Sequence, residues 1–344
     1  MSSTFRQLLH PVRDRLIAPT LIVMGAPGTA ADLVAAIARE DTVCYQMDRY
    51  QADQLKARLA EKNLRTAVES TPDVWDLPAR FGSVVFPSSE RGERELKIDL
   101  VEQSFHVLQD HGLFAVLSPI AKEQLYVPLL KKIYGKPAFV VGDGGTTVWA
   151  NRTGDKKRRR HEVTFNAKLH GSEYIPFISR PGVFSYGQLD DGTKSLLDVL
   201  ETQQGQRIVE LGCGCGAAGI IAALRSGPHT HLTLADSNCR AVAIAELNAR
   251  NHQLTDFVAV VTTDFGTLPA GEYDLVLANP PYFAQHSISQ MFIERAHALM
   301  RRGGKLYLVT KHLDAVEPML EEYFPPALIL ERRGYAVIVA TKAR

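Results

Sequence analysis

The residues of this chain whose types and order most clearly suggest a chemical reaction are Asn279-Pro280-Pro281-Tyr282. It follows an apolar segment, residues 273–278, that predicts a buried strand. The Asn279 amide oxygen and the Pro280 carbonyl oxygen can both accept hydrogen bonds from one planar amino group. The two prolines fix the backbone, and the Tyr282 ring can stack on a planar base or amide. The motif therefore predicts a site that positions an exocyclic nitrogen for attack on an electrophile, with a rigid loop as the structural alternative.

A glycine-rich turn lies earlier in the chain, after another predicted strand. Residues 207–211 are mostly apolar and include Glu210 near their end. Gly212, Gly214 and Gly216 follow, and glycine permits a close ligand approach that a Cβ atom would block. Such turns open nucleotide sites in α/β proteins, because backbone N–H groups and a helix start face the ligand. Alone the pattern is weak, since a plain connection between strand and helix can look the same.

Two acidic residues follow at the ends of the next predicted strands. Asp236 lies 24 residues after Gly212, where a carboxylate can accept hydrogen bonds from both hydroxyls of a ribose. Asp264 can accept from an exocyclic amine such as that of adenine, and Phe265 can pack on the ring. Glu210 can orient the turn or bind an ammonium group. The set suits an adenosine that carries an amino-acid tail, whereas the structural alternatives are a helix-start acid and a turn acid.

The order of predicted elements explains how these side chains could meet. Helices and strands alternate from residue 207 to residue 310, and a hairpin at 327–340 follows. This order predicts a mostly parallel sheet with a terminal antiparallel hairpin. Residues 182–193 are expected to fold over the glycine turn, with Thr193 as the N-cap of a helix at 194–201. Ligands bind such sheets beyond the carboxyl ends of the strands. The following residues should share that edge: Glu210, Asp236, Asp264 and Asn279.

The first half of the chain repeats the same pattern. Acidic residues follow Gly25 at 23 and 51 residues, and they follow Gly212 at 24 and 52 residues. These acids are Asp48, Asp76, Asp236 and Asp264. We predict an internal duplication of one α/β unit. The first copy has Phe86-Pro87-Ser88-Ser89 where the second has its amide and aromatic ring, so it is expected to keep the fold and lose the reaction. A residual ligand pocket in that copy stays open.

We predict three segments: a degenerate domain at residues 1–152, a basic linker at 153–161 and a catalytic domain at 162–344. The linker contains five consecutive cations, Lys156, Lys157, Arg158, Arg159 and Arg160. Such a run can be an exposed, flexible, solvated segment or a contact for nucleic-acid phosphates.

Composition narrows the class of protein. With 344 residues, 45% hydrophobic and 22% charged, the chain is long enough for two globular domains. A net charge of +1 argues against a uniformly basic nucleic-acid binder, so any such contact must be local. No apolar run approaches the roughly 20 residues that span a bilayer, and the first residues lack a signal-peptide core. The cysteines form no ligand-spaced cluster and are expected to be buried thiols in a reducing cytoplasm.

Four stretches together resemble the bacterial ribosomal RNA guanine-N2 methyltransferases, which are class I S-adenosylmethionine-dependent methyltransferases. The stretches are Gly182-Val183-Phe184-Ser185, Leu189-Asp190 with Gly192, Glu210-Leu211-Gly212-Cys213-Gly214 and Asn279-Pro280-Pro281. That family has two tandem methyltransferase-like domains, of which the first is degenerate. The resemblance implies an α/β chain of two tandem Rossmann-like class I methyltransferase domains, each a mostly parallel sheet with a terminal antiparallel hairpin.

The resemblance also implies S-adenosylmethionine as the cofactor and methyl transfer to an exocyclic base amine in ribosomal RNA, with guanine N2 as the acceptor. The implied cofactor-binding residues are Glu210, Gly212, Gly214, Asp236, Ser237, Asp264, Phe265 and Asn279. The implied catalytic residues are Asn279, Pro280, Pro281 and Tyr282. The expected RNA-binding residues are Phe184, Tyr282, Lys156, Lys157, Arg158, Arg159 and Arg160. The expected partner is ribosomal RNA or a ribosomal subunit, with no membrane and no metal, and we expect a cytoplasmic monomer.

Tyr282-Phe283 departs from that family, which often has Phe and then His after the two prolines. Tyrosine at this place is shared with adenine-N6 and protein-glutamine methyltransferases. Adenine in tRNA or DNA and glutamine in a protein therefore stay open as acceptors. A module that binds S-adenosylmethionine or RNA without turnover is the alternative of a different class.

Overall fold

The computed structural model describes residues 2–77, 80–281 and 286–343. The chain divides into two compact units, Met1–His161 and Glu162–Arg344. Both units contain a seven-stranded sheet, and the second also contains a two-stranded one. Among the described helices, none combines the length and the hydrophobicity that a membrane crossing requires.

The first unit alternates helices and strands through its first five strands. Its helices are α1 (Ser2–Arg13), α2 (Pro27–Ile37), α3 (Arg49–Glu61), α4 (Arg94–Val107) and α5 (Tyr126–Ile133). Its strands are β1 (Thr20–Val23), β2 (Thr42–Tyr45), β3 (Ala67–Glu69), β4 (Phe81–Pro87), β5 (Leu108–Ser118), β6 (Ala138–Gly142) and β7 (Gly145–Asn151). A short 3-10 helix, Val74–Asp76, follows β3.

The second unit begins with a hairpin and then alternates in the same way. Its helices are α6 (Asp191–Val199), α7 (Ala217–Ser226), α8 (Cys239–Asn251), α9 (His286–Leu299) and α10 (Leu313–Glu321). Its strands are β8 (Val163–His170), β9 (Glu173–Ser179), β10 (Arg207–Leu211), β11 (His231–Asp236), β12 (Phe257–Val261), β13 (Tyr273–Ala278), β14 (Met300–Thr310), β15 (Leu328–Arg332) and β16 (Tyr335–Thr341).

The two large sheets have the same strand order. It is β3-β2-β1-β4-β5-β7-β6 in the first unit and β12-β11-β10-β13-β14-β16-β15 in the second. The first five strands of each run parallel, and the last two form an antiparallel hairpin at one edge. This confirms the predicted fold class: tandem Rossmann-like α/β domains with terminal hairpins.

Each central strand is buried on both faces because helices cover the sheet on both sides. In β13 all six residues are buried, and its alternate side chains enter different core clusters. Leu275 and Leu277 pack with α7 and α8, whereas Val276 packs with α9 and α10. Burial of each such side chain stabilises the fold by roughly 1.5–3 kcal/mol. The four cysteines are buried free thiols, as predicted.

The start of one predicted helix differs from the structure. Asp190, and not Thr193, is the N-cap of α6, and the helix begins at Asp191. Helix α2 begins at Pro27 because proline lacks the N–H that a first helical residue would leave unbonded. The β8–β9 hairpin precedes the large sheet, and β9 contains Pro176, a residue that is uncommon inside strands.

Candidate functional site

A cleft opens at the carboxyl ends of β10 and β13, with an empty volume of about 390 Å³ including its mouth. It brings together five residues predicted from the sequence: Phe184, Glu210, Gly212, Gly214 and Asn279. It is also lined by Asp190 and Thr193. The two ends of these parallel neighbours meet because Leu211 pairs with Ala278. The sheet therefore places the glycine turn next to the Asn-Pro-Pro motif.

The glycine turn leaves β10 along a backbone path that favours glycine. Gly212 and Gly214 have φ values of +68° and +53°, in the left-handed region. The Gly212 N–H donates to the Ala235 carbonyl oxygen at 2.8 Å, which ties the turn to the neighbouring strand β11. A Cβ atom at Gly212 would also lie 3.3 Å from the Phe292 ring. The turn is thus held in a shape that keeps its backbone open to the cleft.

Glu210 lies under the first turn of α7. Its Oε2 atom accepts a hydrogen bond from the Gly219 N–H at 2.8 Å, so the carboxylate sits at the positive end of the helix. A Cβ atom at position 219 would lie only 2.8 Å from that oxygen, which explains the glycine there. Burial raises the pKa of the Glu210 carboxyl to about 8, against the lowering effect of the Gly219 N–H. A cation in the cleft would favour the charged form.

Asp236 ends β11, as predicted, and its carboxylate supports the turn. Its Oδ2 atom accepts from the Gly214 N–H and its Oδ1 atom from the Asn238 N–H, both at 2.9 Å. Ser237 beside it is half-buried. The acid is therefore fixed at the rim next to Gly214. The predicted contact with ribose hydroxyls stays a prediction.

Asp264 and Phe265 are not among the residues that line the cleft. The Asp264 carboxylate accepts from the Gly266 N–H at 3.0 Å and lies 3.7 Å from Arg295, with its side chain 58% exposed. Phe265 is 4% exposed and packs edge-on against Phe292, with ring centroids 5.1 Å apart. Phe265 is part of the core beneath this edge of the sheet. Their predicted contacts with an adenine ring stay predictions.

The Asn279 side chain is fixed from one side. Its Nδ2 atom donates to Asp190 Oδ1 at 3.1 Å and to Thr193 Oγ1 at 3.0 Å. The next residue, Pro280, is buried, whereas Pro281 is exposed. Tyr282 lies outside the described residues. That Asn279 faces a bound ligand stays a prediction. The structure adds that residues at the start of α6 hold its side chain.

Phe184 covers the glycine turn. It is 60% exposed, and a Cβ atom at Gly214 would meet its own Cβ at 3.9 Å. The loop that carries it is anchored from α8: Arg240, which is fully buried, donates to the Pro181 carbonyl at 2.6 Å, and Asn238 donates to Gly182 at 2.8 Å. An exposed aromatic ring held over the cleft can stack on a planar ligand.

The sequence analysis missed the roles of Asp190, Thr193 and Arg240. The spacing of Asp190 before Gly192 and Thr193 is a signal for a capped helix start, but it carries no information about Asn279, which is 89 residues away. Arg240 is on a predicted helix, and its burial could not be read from helical spacing.

Cys213 and Cys215 also line the cleft, and burial raises the pKa of both thiols, that of Cys215 to about 12, so both are protonated at neutral pH.

The predicted basic linker lies along the first unit. Residues 156–160 are exposed, yet the Arg158 guanidinium lies 5.5 Å above the Trp75 ring centroid. The Lys156 Nζ atom donates to the Lys132 carbonyl oxygen at 3.4 Å, and His161 Nε2 lies 2.6 Å from Glu102 Oε2. The segment that carries the five cations is therefore held against the first unit by these contacts. Their contact with RNA phosphates stays a prediction.

Comparison with known proteins identifies the second unit. The family described as "Methyltransferase small domain" matches residues 174–339. Ribosomal RNA small subunit methyltransferase C of Pseudomonas entomophila is 31% identical over 173 residues, which cover 49% of this chain and 51% of that protein. Ribosomal RNA large subunit methyltransferase G of Serratia proteamaculans is 30% identical over 190 residues, 53% of this chain and 49% of that protein. The chain thus spans about half the length of these curated relatives.

A solved structure extends the likeness in fold to both units. The 16S rRNA N2 methyltransferase of T. thermophilus, solved in complex with AdoMet and guanosine, has a TM-score of 0.75 at 20% identity. The likeness covers 97% of this chain and 91% of that chain. At this identity it establishes the tandem fold. Residues 174–339 of this chain thus match the methyltransferase small domain family, and the predicted cofactor, S-adenosylmethionine, is confirmed.

Proposed function

We propose that this chain transfers a methyl group from S-adenosylmethionine to the exocyclic N2 amine of a guanine in ribosomal RNA. The observation that supports this most directly is the position of Asn279 in the cleft wall beside the glycine turn. Its amide nitrogen donates hydrogen bonds to Asp190 and Thr193. The names of the relatives supply the class of substrate, ribosomal RNA. The guanine acceptor is supported by the resemblance of the motifs.

The residues of the cleft fit the cofactor. The backbone at Gly212 and Gly214 offers a close approach, and Glu210 offers a carboxylate to the ammonium of the amino-acid tail. Asp236, fixed next to Gly214, would accept from the ribose hydroxyls. When bound, the cofactor supplies an electrophilic methyl group on a sulfonium. The thiols of Cys213 and Cys215 are protonated, so they do not compete as nucleophiles.

Asn279 and Pro280 would hold the base amine. The Asn279 amide oxygen and the Pro280 carbonyl oxygen accept its two N–H groups, which leaves the nitrogen lone pair directed at the methyl carbon. With the amine held there, the nitrogen would form a C–N bond to the methyl carbon while the C–S bond breaks and its bonding pair stays on sulfur. The nitrogen then loses one proton to water, so no strong base is needed. Positioning and electrostatics supply most of the rate.

The target base would enter the cleft unstacked. A base inside a duplex cannot present its exocyclic amine to a concave site, so the RNA must be single-stranded or the nucleotide extruded there. Phe184, which lines the cleft and is 60% exposed, would stack on such a base. The cations of residues 156–160 would contribute attraction for phosphates without reading sequence.

The test uses the full chain with isotope-labelled S-adenosylmethionine and four substrates: small subunits, large subunits, naked ribosomal RNA and a release factor. Mass spectrometry of nucleosides identifies the product. We expect N2-methylguanosine in ribosomal RNA, and the control variant Asn279→Ala should lower its rate of formation by orders of magnitude. Methyladenosine or methylglutamine would replace the guanine acceptor with another planar amine, and cofactor binding without transfer to any substrate would contradict the proposal.

A further inference from the structure

We propose that Asp190 is a positioning residue that fixes which way round the Asn279 amide points. The proposal rests on the proposed function, in which the Asn279 oxygen must face the base amine. It concerns a carboxylate on α6 that acts through Asn279, and not a group that touches the reacting atoms.

An asparagine side chain is nearly symmetric in shape but not in polarity. One end, the oxygen, only accepts hydrogen bonds, and the other end, the NH2 group, only donates. Rotation of the amide by half a turn would direct the Asn279 NH2 group at the NH2 group of the base. Two donors cannot bond each other, so the reaction requires a residue that excludes the rotated form.

An ionised aspartate excludes it because a carboxylate only accepts. Asp190 Oδ1 lies 3.1 Å from Asn279 Nδ2 and also accepts from the Gly192 and Thr193 N–H groups at 2.9 and 3.2 Å. If the Asn279 amide were rotated, its oxygen would face this carboxylate oxygen without a proton between them. The carboxylate therefore holds the nitrogen on its own side and the oxygen on the other.

Thr193 completes the polarity of the network. Its hydroxyl has one proton, which goes to Asp190 Oδ2 over 2.5 Å, so its oxygen accepts from Asn279 Nδ2 at 3.0 Å. Thr193 is 9% exposed, so water does not readily replace these partners. Both contacts thus favour the same orientation of the Asn279 amide, with its nitrogen toward α6. Both partners lie at the N-terminal end of that helix.

The helix cap makes a clean test possible. Asn is as good an N-cap as Asp, so Asp190→Asn keeps the start of α6 with its amide oxygen in the place of Oδ1. Its NH2 group takes the place of Oδ2 and donates to Thr193 Oγ1, which frees the Thr193 proton to be donated to the Asn279 amide oxygen and so favours the rotated form. Partners that orient metal-ligating side chains contribute about 10- to 100-fold to activity, and we expect a carboxylate that orients a reacting amide to act on the same scale. We expect kcat of Asp190→Asn to fall by about this factor, with the cofactor Kd and the thermal midpoint close to those of the unmodified chain. Thr193→Val should lower kcat in the same direction, and Thr193→Ser, which keeps the hydroxyl, should recover most of the loss.

A second readout needs neither substrate nor cofactor. The side-chain amide signals of Asn279, assigned by their loss in Asn279→Ala, report its hydrogen bonds in NMR spectra. They should shift and exchange faster with water in Asp190→Asn and Thr193→Val, but not in Thr193→Ser. This arm remains informative if no RNA is methylated, a result that would count against the proposed function alone.

Three results would overturn the positioning role. The first is an unchanged kcat in Asp190→Asn. The second is a rise in cofactor Kd that accounts for the whole loss, which would make Asp190 a cofactor ligand. The third is a set of Asn279 amide signals that is insensitive to both substitutions.

Discussion

The two units share one strand order, but they differ in the side chains at the carboxyl ends of their central strands. The register of the paired strands shows which residues of the two units are equivalent. Glu210 pairs with Leu234 and Leu277 in the second unit, and Ile22 pairs with Cys44 and Val85 at the same place in the first. An apolar side chain thus stands where the cleft has its buried acid.

The same register identifies the other replacements. Met24, whose N–H donates to the Tyr45 carbonyl, stands in the place of Gly212, and Gln46 stands in the place of Asp236. Pro87 stands in the place of Asn279 and fills the space beside Gly25, where a Cβ atom would lie 2.7 Å from the proline Cγ. The fold therefore depends on apolar strand positions that the two units share, whereas the proposed chemistry depends on a few positions at the rim that differ between them.

The register also corrects the sequence comparison. Asp48, which the spacing matched to Asp236, is the N-cap of α3, as Asn238 is the N-cap of α8. Asp76 ends the 3-10 helix, and its carboxylate accepts from the Asp73 N–H at 3.1 Å. Both acids of the first unit thus have local structural roles, and the residual pocket that the spacing left open loses its support.

The largest expected effect separates the two units at equivalent positions. Asn279→Ala removes the acceptor for the base amine, so kcat should fall by about 100- to 1,000-fold, as when one hydrogen bond to a transition state is removed. The cofactor Kd should stay within about twofold because the glycine turn and Glu210 are intact. Pro87→Ala is the matched change in the first unit and should leave methyl transfer nearly unaltered. Steady-state kinetics and calorimetry measure both, and a parallel loss in the two variants would deny the division of roles.

A pair of glycines sharpens the comparison at the two corresponding helices. Gly219→Ala would press a Cβ atom to 2.8 Å from Glu210 Oε2, so the cofactor affinity should fall by roughly tenfold and stability by about 1–3 kcal/mol. Gly28→Ala in α2 meets nothing within 4 Å and should be neutral or stabilising by up to about 1 kcal/mol. Titration calorimetry and denaturant unfolding measure the two. Equal behaviour would mean that the space around Gly219 is less restricted than its contacts indicate.

The stability of the second unit should depend on pH through the buried Glu210. The first unit has Ile22, which does not titrate, at the equivalent position. Because the folded-state pKa of Glu210 is raised to about 8, the folded protein holds a proton that the unfolded chain releases above its ordinary value of 4.5. Stability should therefore be greatest below that value and decline as pH rises toward 8, by at most about 1.4 kcal/mol per pH unit. Unfolding of the cofactor-free chain between about pH 5 and pH 8.5 tests this. Glu210→Gln should flatten the decline, and an equal slope in both proteins would assign it to other groups.

The smallest effect concerns the basic run of the first unit. Replacing residues 156–160 by glutamine should weaken RNA binding several-fold and lower the slope of log K against log salt by about 0.7–0.9 for each phosphate that is no longer neutralised. The control replaces three exposed cations of α3, Arg49, Lys56 and Arg58, which lie in ion pairs with local acids. Binding curves at several salt concentrations provide the measurement. An unchanged slope in the first variant would return the run to a purely solvated role.

The tandem fold could be predicted because apolar strands, glycine turns and helical spacing are local signals. The edge that carries Glu210, Asp236 and Asn279 could be predicted as well, since parallel strands bring their carboxyl ends together. The contacts of Asn279 with Asp190 and Thr193 could not, because they join residues far apart in sequence across a loop of irregular path. Likewise, spacing alone could not tell a helix cap such as Asp48 from a ligand-binding acid, because both follow a strand at nearly the same distance.

Pro87 has a consequence for the history of the chain. Returning an amide at that one position would still leave Ile22 in the place of the acid and Met24 in the place of the first turn glycine. Several exchanges would have to occur together before any of them became useful, so we expect the loss of activity in the amino-terminal copy to be effectively permanent. Selection is then free to shape that copy for other tasks while its partner keeps the reaction.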